Sequence, residues 1–341
     1  MNLHLIVSAI FCLATSSLSA QSADPYQHYW LNDAQLGPIS YHLRSQDRSQ
    51  AKPLLLWLDG SGCQLIQTVV DDGKNCCYYL TPLMIDVDSL AQFYHLVLIS
   101  KPGIAFADTA RVASLAQFDV RTYQQTHFSG PICGQAYTSR LSLEWRAKAA
   151  SRVIDEVVKR VKVDAKRILV AGHSEGAPVA AKAATLNHNI THVGCFAGPG
   201  LTQLYDFILD ARKQVLTGQL SAEASQAKID TLLATFQQIF RFPHSTTRFW
   251  EGETYQRWAS FSEPMGENLL KLTIPIYVAI GTHDANTMGE NADILPVLFA
   301  QQQKTNLTYR ACGHCDHWFT DTRTKQKHFN SYLAEFLGQA Q

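Results

Sequence analysis

The stretch Arg167-Ile168-Leu169-Val170-Ala171-Gly172-His173-Ser174-Glu175-Gly176-Ala177-Pro178-Val179-Ala180-Ala181 decides the fold. Ile168 to Ala171 is a short apolar run, as in a strand buried on both faces of a parallel sheet. From Ala177 to Leu186 small residues suit a helix. Between them Gly172-His173-Ser174-Glu175-Gly176 fits G-x-S-x-G, a pattern whose meaning depends on having a strand before it and a helix after it. A serine on that sharp turn has its hydroxyl lifted above the sheet, and glycines flank it because side chains there would collide with the neighbouring strand and helix. Ser174 is the candidate nucleophile; the bland reading is a glycine-rich turn with an incidental serine.

Working outward, strands and helices alternate. Leu54 to Leu58, His95 to Ile99, Ile190 to Ala197, Ile274 to Ile280 and Leu307 to Arg310 read as further strands. Helices are expected over Leu143 to Val161, Asn291 to Gln301 and Thr324 to Leu337, and Tyr26 to Arg44 reads as an antiparallel hairpin. The pattern predicts an α/β fold with a mostly parallel central sheet flanked by helices. The alternation stops between Leu201 and Leu272, where helical stretches over Gln203 to Leu216 and Ala222 to Phe240 precede an aromatic-rich piece. Placed between two core strands, residues 201–272 are expected to form a helical lid, with an unrelated surface subdomain as the alternative.

A serine hydroxyl needs a base, and the base needs an orienting carboxylate. The strand Ile276 to Ile280 ends in Gly281-Thr282-His283-Asp284, which puts Asp284 on the edge where α/β sheets keep their ligands. Asp284 is the candidate acid, and Asp293 is a rival inside the following helix. Two histidines compete as base in Cys312-Gly313-His314-Cys315-Asp316-His317-Trp318-Phe319. His317 is preferred, with Phe319 placed to pack beneath its ring; His314 remains the alternative. Charge developing on a carbonyl oxygen requires preorganised donors. The backbone N–H groups of Glu175 and Ser61 are expected to supply them, with Gly62 next after Ser61. Asp59 precedes this loop, so its carboxylate is expected to face away from the oxyanion.

The Asp59-Gly60-Ser61-Gly62 loop, the Lys101-Pro102-Gly103 turn, the Gly172–Gly176 elbow, Gly281-Thr282-His283-Asp284 and the terminal histidine loop together resemble the α/β-hydrolase superfamily. The resemblance covers nearly all the chain after residue 20, and esterases, lipases, thioesterases and serine peptidases share these parts. It implies two-step acyl transfer through a Ser174 acyl-enzyme, with no metal or organic cofactor. An ester hydrolase is the leading reading, a serine peptidase the runner-up, and a binding protein that has lost turnover the alternative outside the enzyme class.

Lys plus Arg and Asp plus Glu both number 29, so no charged field collects nucleic acid or anionic lipid. The expected partner is a small-molecule or peptide acyl substrate. Leu3 to Leu18 carries no formally charged side chain and is followed by Ser19-Ala20, which reads as a signal peptide over residues 1–20 ahead of one domain over 21–341. A secreted or periplasmic protein follows, without stable membrane insertion after cleavage. In an oxidising compartment several of Cys63, Cys76, Cys77, Cys133, Cys195, Cys312 and Cys315 can pair, and the odd count leaves a free thiol. Cys312-Gly313-His314-Cys315 is also a disulfide-isomerase tetrapeptide, but it follows a last strand instead of opening a helix, so a structural disulfide is preferred. The sequons at Asn189 and Asn306 are read as chance.

Overall fold

A computed structural model describes residues 24–74, 77–128 and 133–340; the expected signal peptide lies outside the described residues. Eight strands form one sheet: β1 (Gln27–Asp33), β2 (Gly37–Arg44), β3 (Lys52–Leu58), β4 (His95–Ile99), β5 (Val163–His173), β6 (His192–Phe196), β7 (Ile276–Gly281) and β8 (Leu307–Cys312). Their spatial order is β1-β2-β4-β3-β5-β6-β7-β8. β1 with β2 and β2 with β4 are antiparallel, and every later pairing is parallel.

Alternate residues of the central strands feed two cores, as the two-residue period of a strand requires. Leu54, Leu56 and Leu58 of β3 join one core with Val170, Val193 and Val278. Leu55 and Trp57 join the other with Leu169, Ala171 and Ala279. Helix α3 (Leu143–Arg160) and helix α4 (Gly176–Leu186) cover the first face. On the second face lies the C-terminal helix Phe329–Gly338, through Phe329, Leu333 and Phe336.

The terminal helix begins at Phe329 and not at the expected Thr324. The backbone explains the difference: Lys325 takes φ +62°, off the helical path, and Asp321 N–H donates to Gln326 O at 2.8 Å, so residues 321–326 close a loop ahead of the helix. Likewise the helix expected over Asn291 to Gln301 breaks at Asp293, where Gly289–Ala292 ends and Ile294–Gln301 begins. A three-stranded sheet of Gln67–Asp71, Tyr78–Leu80 and Ala107–Arg111 was not anticipated, its strands being short and mixed in polarity. Helix α2 (Val120–His127) is tied to it by Gln124 Nε2, which donates to Thr68 Oγ1 at 2.8 Å.

Residues 201–272 hold helix α5 (Gln203–Leu216), helix α6 (Ala222–Arg241), a short hairpin at Phe249–Thr254, and the helices Tyr255–Ser260 and Met265–Leu270. Disulfides join Cys63 to Cys133 and Cys312 to Cys315, while Cys195 is a buried free thiol. Asn306 Nδ2 donates to the carbonyls of Leu272 (3.2 Å) and Ile274 (2.7 Å), so its amide is already committed inside the fold. Among the described residues no helix is long and apolar enough to cross a membrane.

Candidate active site

At the end of β5 the chain turns into α4 within three residues. Ser174 takes φ +56°, the left-handed region that a non-glycine residue enters only when its surroundings impose it. Two bonds fix the turn: Ser174 N–H donates to Phe196 O at 2.8 Å, and Ala177 N–H to Ser174 O at 3.0 Å. Space around the elbow excludes side chains at both flanking positions. A Cβ on Gly172 would lie 2.1 Å from Gly176 O, and one on Gly176 would lie 2.1 Å from Leu58 O.

The neighbouring strand ends supply the remaining predicted groups. Asp284, past β7, is buried; its Oδ1 accepts the N–H groups of Asn286 (2.8 Å) and Thr287 (2.9 Å). Its Oδ2 faces His317 Nδ1 at 2.7 Å. With Nδ1–H donating to the carboxylate, the opposite ring nitrogen is left as an acceptor. The histidine loop packs directly on β7, since a Cβ on Gly281 would stand 2.5 Å from the carbonyls of Cys315 and Asp316.

His314 lies elsewhere: its N–H donates to Thr282 Oγ1 at 2.8 Å and its ring sits 5.0 Å from that of His283. Asp293 is also apart from the cluster, with Oδ1 accepting from Tyr309 OH at 2.7 Å. The expectation about Phe319 needs correction. It packs into the core against Phe196, Phe329 and Tyr332, and the rings beside His317 are those of His173 (4.7 Å) and Trp318 (5.4 Å). Phe319 has φ +57°, a backbone turn that spacing alone does not foretell.

His173, the variable residue of the elbow motif, has a structural task that the sequence did not reveal. Its Nε2–H donates to the backbone carbonyl of His317 at 2.9 Å, and its ring stacks on Trp318 at 5.1 Å. Burial, with the nearby His317 and Arg121, pulls its pKa down to about 3, so it stays neutral and able to hold that carbonyl.

Beneath the elbow lies a buried charge network. Asp59 Oδ1 pairs with Arg146 at 2.7 Å and its Oδ2 with Lys101 at 3.0 Å, so both oxygens are engaged by cations. Lys101 Nζ also donates to the carbonyls of Gly60 (2.6 Å) and Gly62 (2.5 Å). In a planar trans peptide the N–H points opposite to the preceding carbonyl, so holding Gly60 O on Lys101 aims the Ser61 N–H the other way. Among the described residues, neither Ser61 N–H nor Glu175 N–H donates to a backbone carbonyl in a turn, loop or cap.

The Glu175 side chain accepts from Arg146 Nη1 (2.9 Å) and from Arg257 Nε (3.0 Å) and Nη2 (2.6 Å). Burial alone would raise its pKa, but Arg257, Arg146 and Lys101 outweigh it and hold the carboxyl below its usual range. Arg257 belongs to the 201–272 segment, so that segment is bonded to the elbow itself.

From the same segment Asp206 on α5 reaches the acid loop. Its Oδ1 accepts from Met288 N–H (3.0 Å) and Asn291 Nδ2 (2.9 Å), and its carboxyl pKa is raised to about 7, chiefly by burial and further by Asp284 and Glu290.

Ser174, His317, Ser61, Gly60 and Asp59 open on one cavity of about 440 Å³. Gln203 and Phe207 of α5, and Arg121, Gln124 and Gln125 of α2, line it as well. No group of three or more side chains suited to hold a metal ion occurs among the described residues.

No protein-family model matches the sequence, and no curated protein matches it. Among solved structures, acylaminoacyl peptidase from Pyrococcus horikoshii is similar with a TM-score of 0.54 at 10% identity, over 92% of this chain and 41% of that one. A puromycin-hydrolyzing peptidase from Mycobacterium tuberculosis gives a TM-score of 0.53 at 13% identity, over 92% and 39% of the two chains. Acetyl xylan esterase 1 from a Thermoanaerobacterium species gives 0.52 at 11% identity, over 94% and 86%. The chain thus spans about two fifths of the two peptidases and matches the esterase along most of its length. The eight-stranded order, the serine at the strand-to-helix elbow and these likenesses place the chain in the α/β-hydrolase fold.

Proposed function

We propose that the protein is an exported serine hydrolase that cleaves a carboxylic ester through Ser174, His317 and Asp284. The observation that carries this reading is the 2.7 Å His317–Asp284 bond, with His317 and Ser174 lining the same cavity. In this reading the free ring nitrogen of His317 takes the Ser174 proton as Oγ attacks the acyl carbon. Asp284 holds the tautomer and stabilises the imidazolium. The N–H groups of Ser61 and Glu175 receive the charge on the carbonyl oxygen. His317 then gives its proton to the departing alcohol, and water activated by the same ring releases the acid from the acyl-enzyme.

The peptidases among the similar structures make amide cleavage the second reading. Residues 201–272 act in this proposal as a lid, through Gln203 and Phe207 on the cavity wall. Export is supported by the disulfides Cys63–Cys133 and Cys312–Cys315 and by the leader-like start of the sequence.

A fluorophosphonate probe tests the reading. The wild-type protein should be labelled on one residue, and Ser174→Ala should lose both labelling and p-nitrophenyl ester turnover. Removing a triad member should cost about 10⁴-fold or more in kcat. A folded wild-type protein that resists the probe and turns over neither esters nor aminoacyl-naphthylamides would show a binding protein instead.

A further inference from the structure

Among the described residues lining the cavity, Arg121 is a charged group that the proposed hydrolysis leaves without a task. It is the second residue of α2 and is half-buried. Its guanidinium carbon stands 4.0 Å from the centre of the Trp318 ring, which in turn stacks on His173. The column Arg121–Trp318–His173 therefore runs alongside His317.

A buried cation is normally compensated by an anion. Among the described residues, the hydrogen bond that Arg121 makes is a long one, Nη2 to Pro82 O at 3.5 Å. Asp119 and Asp316 act on it through space, while their oxygens accept backbone N–H groups. Asp119 Oδ1 accepts Thr122 N–H at 2.7 Å, capping α2. Asp316 Oδ1 accepts the N–H groups of Trp318 (2.9 Å) and Thr320 (2.9 Å). Among the described residues no carboxylate is ion-paired with Arg121, whose pKa burial pulls down from its usual range. The other charge on the wall, Asp59, is already held by two cations. The cavity thus presents, among the described residues, a positive group with no contact ion pair, within reach of whatever fills it.

We infer that Arg121 is a specificity residue that pairs with a carboxylate carried by the substrate in addition to its scissile ester. With one face of the guanidinium on Trp318, recognition falls to its in-plane N–H edge, which matches a planar carboxylate through two parallel bonds. Among the described residues on the wall a single unpaired cation faces the cavity, which matches one negative charge, a carboxylate, better than a phosphate dianion. The substrate class is then a half-ester of a dicarboxylic acid, or an ester whose alcohol part bears a carboxylate. This inference rests on the Ser174 hydrolase reading for the position of the scissile bond.

Two substrate pairs test it: p-nitrophenyl hemiglutarate against its methyl ester, and 4-acetoxybenzoate against its methyl ester. Wild-type kcat/KM should favour the anion in one pair by about 10- to 100-fold, the worth of a charge-assisted hydrogen bond. Arg121→Gln should collapse that ratio towards one, and Arg121→Lys should keep part of it. No preference in either pair, or a preference that survives Arg121→Gln, overturns the inference.

Calorimetric binding of monomethyl glutarate and dimethyl glutarate to the wild type, Ser174→Ala and Arg121→Gln separates the two failures. Preferential binding of the anion that depends on Arg121, in a protein that neither labels nor turns over, sinks the hydrolase reading and keeps the anion site. Labelling at Ser174 with no anion preference does the reverse.

Discussion

Asp206 Oδ2 is buried and, among the described residues, has no hydrogen-bond partner, so the site lodges a carboxyl more comfortably protonated than charged. In the unfolded chain this group ionises near pH 4, whereas in the fold it holds its proton to about 7. Unfolding between those values releases a proton, so stability falls as pH rises through the window and levels off above it. Urea denaturation should show wild type losing about 2–3 kcal/mol from pH 5 to pH 8 relative to Asp206→Asn, whose amide does not titrate. Equal slopes for the two proteins would refute the assignment. The base is testable at the same scale. Substituting His317 by Ala should remove turnover, while His314→Ala, whose ring faces His283, should keep it within about tenfold of wild type by the same transition-state arithmetic. Loss with His314→Ala alone would reverse the choice. Ser174 and Asp284, the proposed nucleophile and acid, stand out in the sequence because a motif or a strand end marks each. Arg121, Asp206 and Arg257 could not, because their meaning lies in partners such as Trp318, Met288 and Glu175, which are distant along the chain.

At the level of elements, the central strands were legible because each is a continuous apolar run that both cores demand. The small sheet and α2 were not, although α2 lines one wall of the cavity, because their polarity is mixed and the sheet's pairing is non-local. The 201–272 segment is joined to the elbow by an ion pair in which Arg257 and Glu175 are both nearly inaccessible. Removing one partner of such a pair leaves a charge in the interior. Arg257→Met should therefore lower unfolding stability by about 3 kcal/mol, less any share taken up by Arg146. Glu175→Gln in the Arg257→Met background should recover part of that loss. A double-mutant cycle in urea with no coupling between the two positions would show the pair to be dispensable.

Across the whole molecule, Cys63–Cys133 ties the loop after β3 to the segment ahead of α3 across 70 residues. Closing a loop of that length stabilises the fold by about 4 kcal/mol in the chain-entropy account. Replacing both cysteines by Ala should shift the urea midpoint down by the corresponding amount. An unchanged midpoint would mean that the reduced chain is already confined there. The same connectedness bears on how this scaffold can be recombined. Segments inserted after β6 look like exchangeable modules, but here the module brings Arg257 to a glutamate embedded in the elbow. A chimera carrying a foreign insertion would inherit Glu175 with Arg146 and no Arg257. Any graft at residues 201–272 must therefore either bring its own buried guanidinium or be made on a scaffold in which Glu175 has first been neutralised.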